Sequence, residues 1–252
     1  MPETLLAARG IVRRFGGLVA VNDVSLDLYR GTVHAVIGTN GAGKSTLINI
    51  LSGELQASAG QVLLEGRDIT AWPQPQRARG GLGRSYQRST IFPTLSVYEN
   101  CRLAAQAGRQ RFWHWWRDAA DCAHSAGQAR DALERTGLAA SAATLAGLLP
   151  HGHKRQLEIA MCLAGQPRVL LLDEPLAGMG PEETERILAL LQALKAEHAI
   201  LLVEHDMDAV FGNADTITVM VNGSAIACGT PAQIRANPQV QDAYLGEGPC
   251  TH

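Results

Sequence analysis

A glycine-rich loop placed directly after an apolar strand constrains the fold of this chain more than any other feature. Val33–Ile37 form a near-continuous apolar run of the kind that is buried on both faces of a parallel sheet. Gly38–Ser45 (GTNGAGKS) follow at once and match the pattern G-x-x-x-x-G-K-[ST]. A helix is predicted next, over Thr46–Leu51, with Gly53 closing it. Strand, glycine loop and helix in this order predict a site that binds the phosphates of a nucleotide.

Each residue type in the loop suits that task. Glycines let the backbone curl until successive N–H groups point at a phosphate, and the following helix adds its positive end. Lys44 is predicted to bridge the β- and γ-phosphates, and the Ser45 hydroxyl to hold Mg²⁺. The predicted nucleotide-binding residues of the loop are Gly38, Asn40, Gly41, Ala42, Gly43, Lys44, Ser45 and Thr46.

Two acids end a second apolar strand. Val169–Leu172 lead directly into Asp173 and Glu174. In enzymes with this phosphate loop, an aspartate at such a strand end steadies the Mg²⁺ shell, which predicts Asp173 as a metal residue. Glu174 points the other way, toward the position of an attacking water, and is the predicted general base.

Strands and helices alternate along the rest of the chain. Glu182 and Glu183 follow Pro181 at the start of a predicted helix, where carboxylates face its positive end. Apolar residues in that helix keep the spacing of one buried face; they are Ile187, Leu190, Leu191 and Leu194. Further strands are predicted at Leu5–Val12, Ser25–Tyr29, Ala199–Val203 and Thr216–Val221. The alternation predicts an α/β fold with a mainly parallel sheet.

Two capping boxes mark further helices. Ser96 is predicted to accept from the backbone while Glu99 reaches back, and Thr230 and Gln233 repeat the logic for the last helix. The stretch 97–146 is rich in alanine and has no strand pattern. We interpret it as a helical subdomain inserted into the sheet domain.

Composition narrows the class of protein. With 22 basic and 24 acidic residues and lysine only at positions 44, 154 and 195, the chain offers no basic face, which argues against nucleic acid. No apolar run approaches the roughly 20 residues of a membrane span, and the start MPET is unlike a signal peptide. Five scattered cysteines favour free thiols in a reducing compartment. A cytoplasmic protein that reaches a membrane only through a partner is expected.

The order of the motifs carries a family resemblance. The phosphate loop, Gln87, Lys154–Leu163 (KRQLEIAMCL), Leu170–Pro175 (LLLDEP) and Glu204–Asp206 (EHD) occur in the order found in ABC transporters. Along essentially its whole length the chain resembles their nucleotide-binding subunits. Four segments resemble the branched-chain (hydrophobic) amino-acid importers more narrowly: Arg14–Val21, Asp173–Glu183, Val203–Asp208 and residues 229–246.

The resemblance implies a fold and further site residues. The fold is a P-loop NTPase (RecA-like) ABC cassette with an antiparallel β subdomain and an inserted helical subdomain, divided as 1–95, 96–160 and 161–252. Phe15 would stack on adenine, although a core aromatic is the alternative. Gln87 would sense the γ-phosphate and Mg²⁺ and relay this to a membrane subunit. His205 would hydrogen-bond the γ-phosphate. The implied catalytic residues are Glu174, His205 and Gln87, and the metal residues are Ser45, Gln87 and Asp173.

The resemblance also implies partners. ATP and Mg²⁺ would be bound, and the chain would lie at the cytoplasmic face of the inner membrane against two membrane-spanning permease subunits. A second ATP-binding cassette and, indirectly, an extracytoplasmic solute-binding protein complete the importer. Its solutes would be branched-chain or related hydrophobic amino acids, or amide- and urea-like solutes. The alternatives are a soluble ABC-type ATPase not coupled to transport and a binding module that has lost hydrolysis.

The chain departs from the family pattern where a cassette contributes to its partner's ATP. The family signature L-S-G-G-Q aligns with Leu149–His153 (LPHGH), in which Gly152 is retained. Pro150 has neither a serine hydroxyl nor a backbone N–H. Gly180 replaces an aspartate, and Thr39 stands where proline is common. We hypothesise a heterodimer with one slow composite site, a homodimer being the alternative.

Two further clusters have open interpretations. His151 and His153 make a poor metal site without a cysteine or carboxylate pair beside them, which favours a surface or interface role. Phe112, Trp115 and Trp116 share one helical face and would pack the subdomain, whereas Trp113 or its neighbours would contact a cytoplasmic helix of the membrane subunit.

Overall fold

The computed structural model describes residues 3–87, 90–107 and 123–245. Numbered in chain order, the strands of these residues are β1 (Thr4–Phe15), β2 (Leu18–Tyr29), β3 (Val33–Gly38), β4 (Ala59–Leu64), β5 (Arg67–Asp68), β6 (Leu82–Arg84), β7 (Val169–Asp173), β8 (Ala199–Val203), β9 (Thr216–Val221) and β10 (Ser224–Gly229). The helices are α1 (Lys44–Ser52), α2 (Gln74–Arg79), α3 (Val97–Ala107), α4 (Ala123–Arg135), α5 (His151–Ala164), α6 (Pro181–Leu194), α7 (Met207–Asn213), α8 (Pro231–Arg235) and α9 (Pro238–Leu245).

The larger sheet brings the predicted site residues to one edge. Its six strands lie in the order β10-β9-β3-β8-β7-β6. All neighbouring pairs except β9 and β10 are parallel, which confirms the predicted mainly parallel sheet. Parallel strands end on the same side, so the loop after β3 and the acids at the end of β7 share one edge of the sheet.

Both faces of this sheet are covered, which explains its continuous apolar strands. Leu170 and Leu172 pack into a core with helices α3 to α6. Val169 and Leu171 point the other way, into a core shared with α1 and the smaller sheet. Because successive side chains of a strand alternate between faces, a strand buried on both sides is mostly apolar. The buried polar side chains of His34 in β3 and Thr218 in β9 hydrogen-bond to each other.

The smaller sheet carries Phe15 to the site. It is antiparallel, in the order β2-β1-β4-β5. Its strands β1 and β2 both have 12 residues and extend beyond the predicted Leu5–Val12 and Ser25–Tyr29. The extension is a hairpin in which Phe15 pairs with Leu18 and in which the register shifts several times. Its side chains are largely exposed, so it has no apolar alternation by which to recognise a strand.

Three helices, α3, α4 and α5, pack against one another and precede β7. Ser96 caps α3 as predicted, since its Oγ accepts from Glu99 N at 3.1 Å. The second half of that capping box is wrong: Glu99 accepts from Arg102 Nη2 at 2.6 Å and from Arg102 Nε at 2.9 Å. A guanidinium one turn away on the helix competes successfully for the carboxylate.

The other predicted helix ends agree with the structure. Gly53 closes α1 with a φ of 82°, and its N–H donates to carbonyls of the last turn. Gln233 Oε1 accepts from Thr230 N at 2.8 Å and Thr230 Oγ1 accepts from Gln233 N at 3.4 Å, so the capping box of α8 is reciprocal. The α6 residues predicted to face the core are all buried.

None of the helices in the described part of the chain combines the length and the apolar composition that a membrane crossing needs. Cys101, Cys162 and Cys228 are free thiols, as expected; Cys122 and Cys250 lie outside the described residues.

Candidate functional site: a nucleotide cleft at the edge of the parallel sheet

The predicted phosphate loop turns from β3 into α1 between two crowding backbones. A Cβ on Gly38 would lie 2.2 Å from Met220 O, and one on Gly43 would lie 2.3 Å from Ala20 O. Gly43 also has a φ of 96°, a left-handed conformation that side chains disfavour. At both positions glycine is therefore required by the surrounding chain.

Lys44 is held inside the loop. Its side chain is largely buried, and its Nζ donates to Gly38 O at 2.7 Å and Thr39 O at 3.0 Å. Burial lowers the pKa of the ammonium, and the carboxylates of Glu174 and Asp173 oppose that shift. A cation positioned by two loop carbonyls is ready to meet phosphate oxygens that enter the same loop.

Asp173 ends β7 as a buried acid with a cation beside it. Arg84 Nη2 lies 3.7 Å from Asp173 Oδ2, and both side chains are 6% exposed. Burial raises the pKa of Asp173, and Arg84 is the first of the charges that oppose the shift. Arg84 is in turn held by Asn49 and Ser52 of α1. The carboxylate is thus anchored to the helix that begins in the phosphate loop.

Glu174 adopts a conformation that is uncommon for its residue type. Its φ is 48°, in the left-handed region, and its N–H donates to Val203 O at 2.9 Å. Its Oε2 accepts from Gln87 Nε2 at 3.0 Å. Non-glycine residues held with positive φ concentrate at functional sites, where surrounding structure compensates the strain. The backbone turn separates Glu174 from the buried Asp173 and turns its carboxylate into the cleft.

His205 lies at the end of β8, facing two carboxylates. Its Nδ1 is 3.9 Å from Glu174 Oε1 and 3.9 Å from Glu204 Oε2. Glu204 is 1% exposed, and it accepts from Leu176 N at 2.8 Å and from His205 N at 3.3 Å. Burial raises the pKa of Glu204, and the two backbone donors oppose the shift. This buried acid links the segment after Glu174 to His205.

A cleft of about 570 Å³ brings most of the predicted residues together. Phe15, the loop residues Asn40–Thr46, Gln87 and Glu174 all line it. Asp173 and Gly38 are not part of the lining; they are buried as the last residues of β7 and β3. Phe15 is 44% exposed, and the guanidinium of Arg13 stacks over its ring at 4.5 Å from the centroid. The exposed ring is inconsistent with the alternative that Phe15 is a core aromatic.

Comparison with known proteins identifies this arrangement. The family model described as "ABC transporter" matches residues 21–177, and the one described as "Branched-chain amino acid ATP-binding cassette transporter" matches residues 226–249. The chain is 41% identical over 254 residues to a high-affinity branched-chain amino acid transport ATP-binding protein of Escherichia coli (strain K12), covering 98% of this chain and 100% of that protein. The chain belongs to the ABC transporter ATP-binding subunits.

Other relatives agree with this ABC cassette in sequence and in shape. A protein of the same description from Pseudomonas aeruginosa is 39% identical over 257 residues, covering 98% of this cassette and all of the relative. The crystal structure of a nucleotide-free ATP-binding cassette from an ABC transporter superposes with a TM-score of 0.86 at 31% identity, covering 97% and 100% of the two chains. A cassette in its ADP conformation gives a TM-score of 0.85 at 30% identity, covering 97% and 99%. This cassette is thus an ATPase with the expected P-loop fold.

The donor set at the loop fits Mg²⁺. Magnesium prefers oxygen ligands and typically takes only one or two from the protein, with phosphates and waters completing its shell. Ser45 offers a hydroxyl and Gln87 an amide oxygen in the lining of the cleft, and Asp173 offers a carboxylate at the end of β7, next to Glu174 in the chain. Within the described residues no group of three or more His, Cys, Asp or Glu side chains could hold a metal alone. That is compatible with an ion that arrives with nucleotide.

The signature segment, Leu149–His153, forms the start of α5. Pro150 is its N-cap residue, with a φ of −55° and no side-chain hydrogen bond to the helix. Two backbone N–H groups donate instead to the carboxylate of Glu183 in α6. Gly152 N donates to its Oε1 at 3.2 Å, and Gly180 N donates to its Oε2 at 3.4 Å. Two of the departures from the family pattern, Pro150 and Gly180, therefore lie on segments joined by one carboxylate.

Several residues of the cleft were not predicted from the sequence. Leu18, Ala20, Asn222 and Gly223 line it because two hairpin ends fold over the loop. Asn222 has a φ of 48°, and the Asn-Gly pair it forms with Gly223 is the sequence signal of a tight hairpin. That signal predicts a turn, but nothing local places the turn against the loop. The aromatic cluster from Phe112 to Trp116 lies outside the described residues.

Proposed function

We propose that this cassette hydrolyses ATP to drive uptake of branched-chain or related hydrophobic amino acids through two separate membrane-spanning permease subunits. The observation that carries the hydrolytic part is the pairing of Glu174 with Gln87 in the cleft that also holds the phosphate loop. The solute class rests on the relatives from Escherichia coli and Pseudomonas aeruginosa, which are described as branched-chain amino acid transport proteins.

The residues divide the work of hydrolysis. Lys44 and the loop N–H groups hold the phosphates, and the half-exposed ring of Phe15 stacks on adenine. Glu174 takes the proton of the water whose oxygen attacks the γ-phosphorus, and the bond to the leaving ADP oxygen breaks. Gln87 orients Glu174 and that water, and His205 donates to the γ-phosphate.

Mg²⁺ bound through Ser45, Asp173 and Gln87 would neutralise charge on the phosphates. The chain's own contribution is to hold Asp173 in place and to oppose the rise that burial causes in its pKa. Arg84 supplies the counter-charge for this buried carboxylate and ties it to α1.

A second cassette completes the ATP sites. Each site would combine the cleft of one chain with the signature segment of the other. Because Pro150 weakens only what this chain presents across that interface, we favour a heterodimer with one slow site, and a homodimer is the alternative. We also propose that the chain is divided into the parts 1–95, 96–160 and 161–252. In this division the middle part presents the signature segment.

An exposed apolar surface at the two segments that flank helices α3 and α4 is the candidate docking site for the permease. Phe92, Leu145 and Leu148 are 50%, 47% and 75% exposed. Their two segments are hydrogen-bonded together, since Gly147 N donates to Pro93 O at 2.9 Å. A cytoplasmic helix of the membrane subunit would cover these side chains and place the cassette peripherally at the cytoplasmic face, with a solute-binding protein acting on the other side of the membrane.

The hydrolytic proposal is tested by Glu174→Gln in the full chain. Removing the general base should lower the rate of phosphate release by about 10²–10⁴-fold, while ATP affinity is retained. Glu174→Gln is nearly isosteric and still offers an oxygen to Gln87. An unchanged rate in this variant would refute the role of Glu174.

The transport proposal needs the assembled importer. Proteoliposomes that contain the permease, both cassettes and the binding protein should take up leucine only with ATP inside, and uptake should fail with Glu174→Gln. Uptake of urea or an amide instead of leucine would reassign the solute. A cassette that co-purifies with no membrane subunit would favour the soluble ATPase.

A further inference from the structure

A buried arginine of the signature helix reaches out of its own helix to the segment that carries Gln87. Arg155 lies in the second turn of α5 and is 9% exposed. Its Nη1 donates to Tyr86 O at 3.1 Å, and its Nη2 donates to Gln87 O at 3.0 Å. A planar guanidinium with two donors on adjacent carbonyls fixes direction as well as distance.

The arginine is itself held by a buried counter-charge. Arg155 Nη1 donates to Glu158 Oε2 at 2.8 Å, and the Glu158 side chain is 3% exposed. Glu158 lies one turn further along the same helix, so the pair moves with α5. Burying two charges is costly unless geometry and hydrogen bonds are good, so a buried pair aimed at the backbone of another segment calls for a specific role.

The contact continues into the site. Strand β6 ends at Arg84, and Ser85 N donates to Leu171 O at 3.0 Å. The next two residues, Tyr86 and Gln87, supply the carbonyls that accept from Arg155. The Gln87 side chain then donates to Glu174 Oε2 at 3.0 Å. A continuous series of hydrogen bonds thus leads from α5 through Gln87 to the proposed general base.

We propose that Arg155 is a positioning residue for hydrolysis: it holds the Gln87 backbone so that the Gln87 side chain meets Glu174. The inference rests on the proposed function of those two residues. Because α5 begins in the signature segment, a partner that docks there moves Arg155 and, through it, Gln87. The same arginine therefore couples the surface offered to the partner's ATP to the chain's own cleft.

The first test is Arg155→Met in the full chain. Hydrolysis is measured as the phosphate release that is lost in Glu174→Gln. We expect kcat to fall about 10- to 100-fold, the size of effect that a small misplacement of a catalytic group produces. ATP affinity should change far less than kcat, because Arg155 donates to Tyr86, Gln87 and Glu158 and not to the phosphate loop. A fall in ATP affinity with kcat retained would overturn the proposal.

Arg155→Met leaves Glu158 buried without a counter-charge, so a second variant separates positioning from folding. The double variant Arg155→Met with Glu158→Leu removes both charges, and apolar replacements of this kind commonly preserve stability. Its thermal midpoint should stay near that of the wild type while kcat remains as low as in Arg155→Met. Full kcat in the double variant would overturn the proposal.

Two matched controls complete the design. Glu158→Gln keeps an acceptor for Arg155 and leaves both bonds to the Gln87 segment, so kcat should stay near the wild-type value. Arg77 is another buried arginine on backbone carbonyls, and none of its acceptors is in the Gln87 segment; they are those of Ile50, Leu51, Thr70 and Trp72. Arg77→Lys should lower the thermal midpoint and leave kcat unchanged. If the kcat of Arg77→Lys falls together with its thermal midpoint, as the kcat of Arg155→Met does, the effect of Arg155 is structural and the proposal is wrong.

The outcomes also separate this inference from the proposed function. If hydrolysis is insensitive to Glu174→Gln, the basis of both is lost. If hydrolysis depends on Glu174 but survives every Arg155 variant, the proposed function stands and the positioning role alone is wrong.

Discussion

Two regions of this cassette are proposed to meet ATP, and they differ in how much of the family chemistry they keep. The nucleotide cleft, built around Gly38–Thr46 and Glu174, serves the chain's own ATP and keeps every residue type that the chemistry requires. The signature segment, Leu149–His153, would serve the ATP of a partner, and it has exchanged a serine for Pro150.

The structural support of the two regions differs in the same way. In the cleft, Lys44 is held by two loop carbonyls and Asp173 by Arg84, so charged groups are in position before nucleotide arrives. At the signature segment the Gly152 N–H is bonded to Glu183 of the same chain. One region is preorganised for a phosphate, and the other has a carboxylate of its own where helix α5 begins.

The two composite ATP sites of a dimer therefore need not be equivalent, even when a chain's own cleft is complete. Preorganised donors and cations account for much of catalysis, because they need no rearrangement during the reaction. A partner that relies on Pro150 lacks both the serine hydroxyl and the backbone N–H of that position, whereas this chain's own cleft loses no donor. The comparison favours a heterodimer.

The largest expected effect comes from filling the crowded glycine of the loop. Gly43→Ala places a Cβ 2.3 Å from Ala20 O at a φ of 96°, so the loop must move and lose its phosphate donors. We expect ATP affinity, measured by isothermal titration, to fall on the order of 1000-fold, about 4 kcal/mol.

Gly41 is the matched control for that substitution. It also has a positive φ, 79°, but a Cβ there has no atom within 4 Å. Gly41→Ala should therefore cost only the local left-handed strain, about 1–2 kcal/mol. Equal losses in the two variants would mean that backbone conformation alone, and not the approach of Ala20, governs the loop.

Removing the ring of Phe15 should have the next largest effect. Adenine stacking on an aromatic side chain contributes about 1–3 kcal/mol, so Phe15→Ala should weaken ATP binding about 5- to 150-fold. Phe15→Tyr keeps the ring and should bind ATP as the wild type does. The phosphate loop is unaltered in Phe15→Ala, so this variant should still bind inorganic triphosphate, which has no adenine. Loss of that binding would contradict a role in base stacking.

How much of this site could be predicted depends on whether its signals are local. The phosphate loop and the acids after β7 were placed correctly because each is contiguous with an apolar strand whose edge the topology fixes. The extension of β1 to Phe15 was missed because its exposed side chains show no alternation. The hydrogen bond from the Glu99 side chain back to the start of α3 was predicted wrongly, because Arg102 competes for the Glu99 carboxylate.

The groups that support the site could not be predicted in the same way. Arg84 is unremarkable in sequence, and Glu204 stands in the EHD motif without a role predicted for it. The roles of both follow from burial beside residues far along the chain. The positive φ of Glu174 depends on its N–H bonding to Val203 O of the neighbouring strand. Local patterns predict which residues carry the chemistry, and tertiary packing decides what holds them.

Restoring the signature serine should have an intermediate effect. In the assembled importer with Glu174→Gln, this chain's own site is silent, so the remaining hydrolysis comes from the partner's ATP and uses this signature segment. Pro150→Ser restores a hydroxyl and a backbone N–H toward a charged phosphate and should raise that remaining rate about 10-fold, about 1.4 kcal/mol. If no hydrolysis appears even with Pro150→Ser, the assembly is a homodimer. A remaining rate that ignores Pro150→Ser would show that the proline is not limiting.

The smallest expected effect concerns Glu183, which joins the signature segment to Gly180. Glu183→Ala removes the acceptor of both backbone N–H groups, a loss comparable to that of a helix cap, about 0.5–1 kcal/mol. Glu182 is the control: it lies in the same turn of α6, but its side chain is 91% exposed and 3.7 Å from Arg186. If Glu183 orders the signature segment, Glu183→Ala should lower the partner-site rate about 2- to 5-fold and Glu182→Ala should not. If Glu183 instead competes with the partner's phosphate for the Gly152 N–H, its removal should raise that rate, and the sign of the change therefore decides whether this carboxylate supports the weaker region or restrains it.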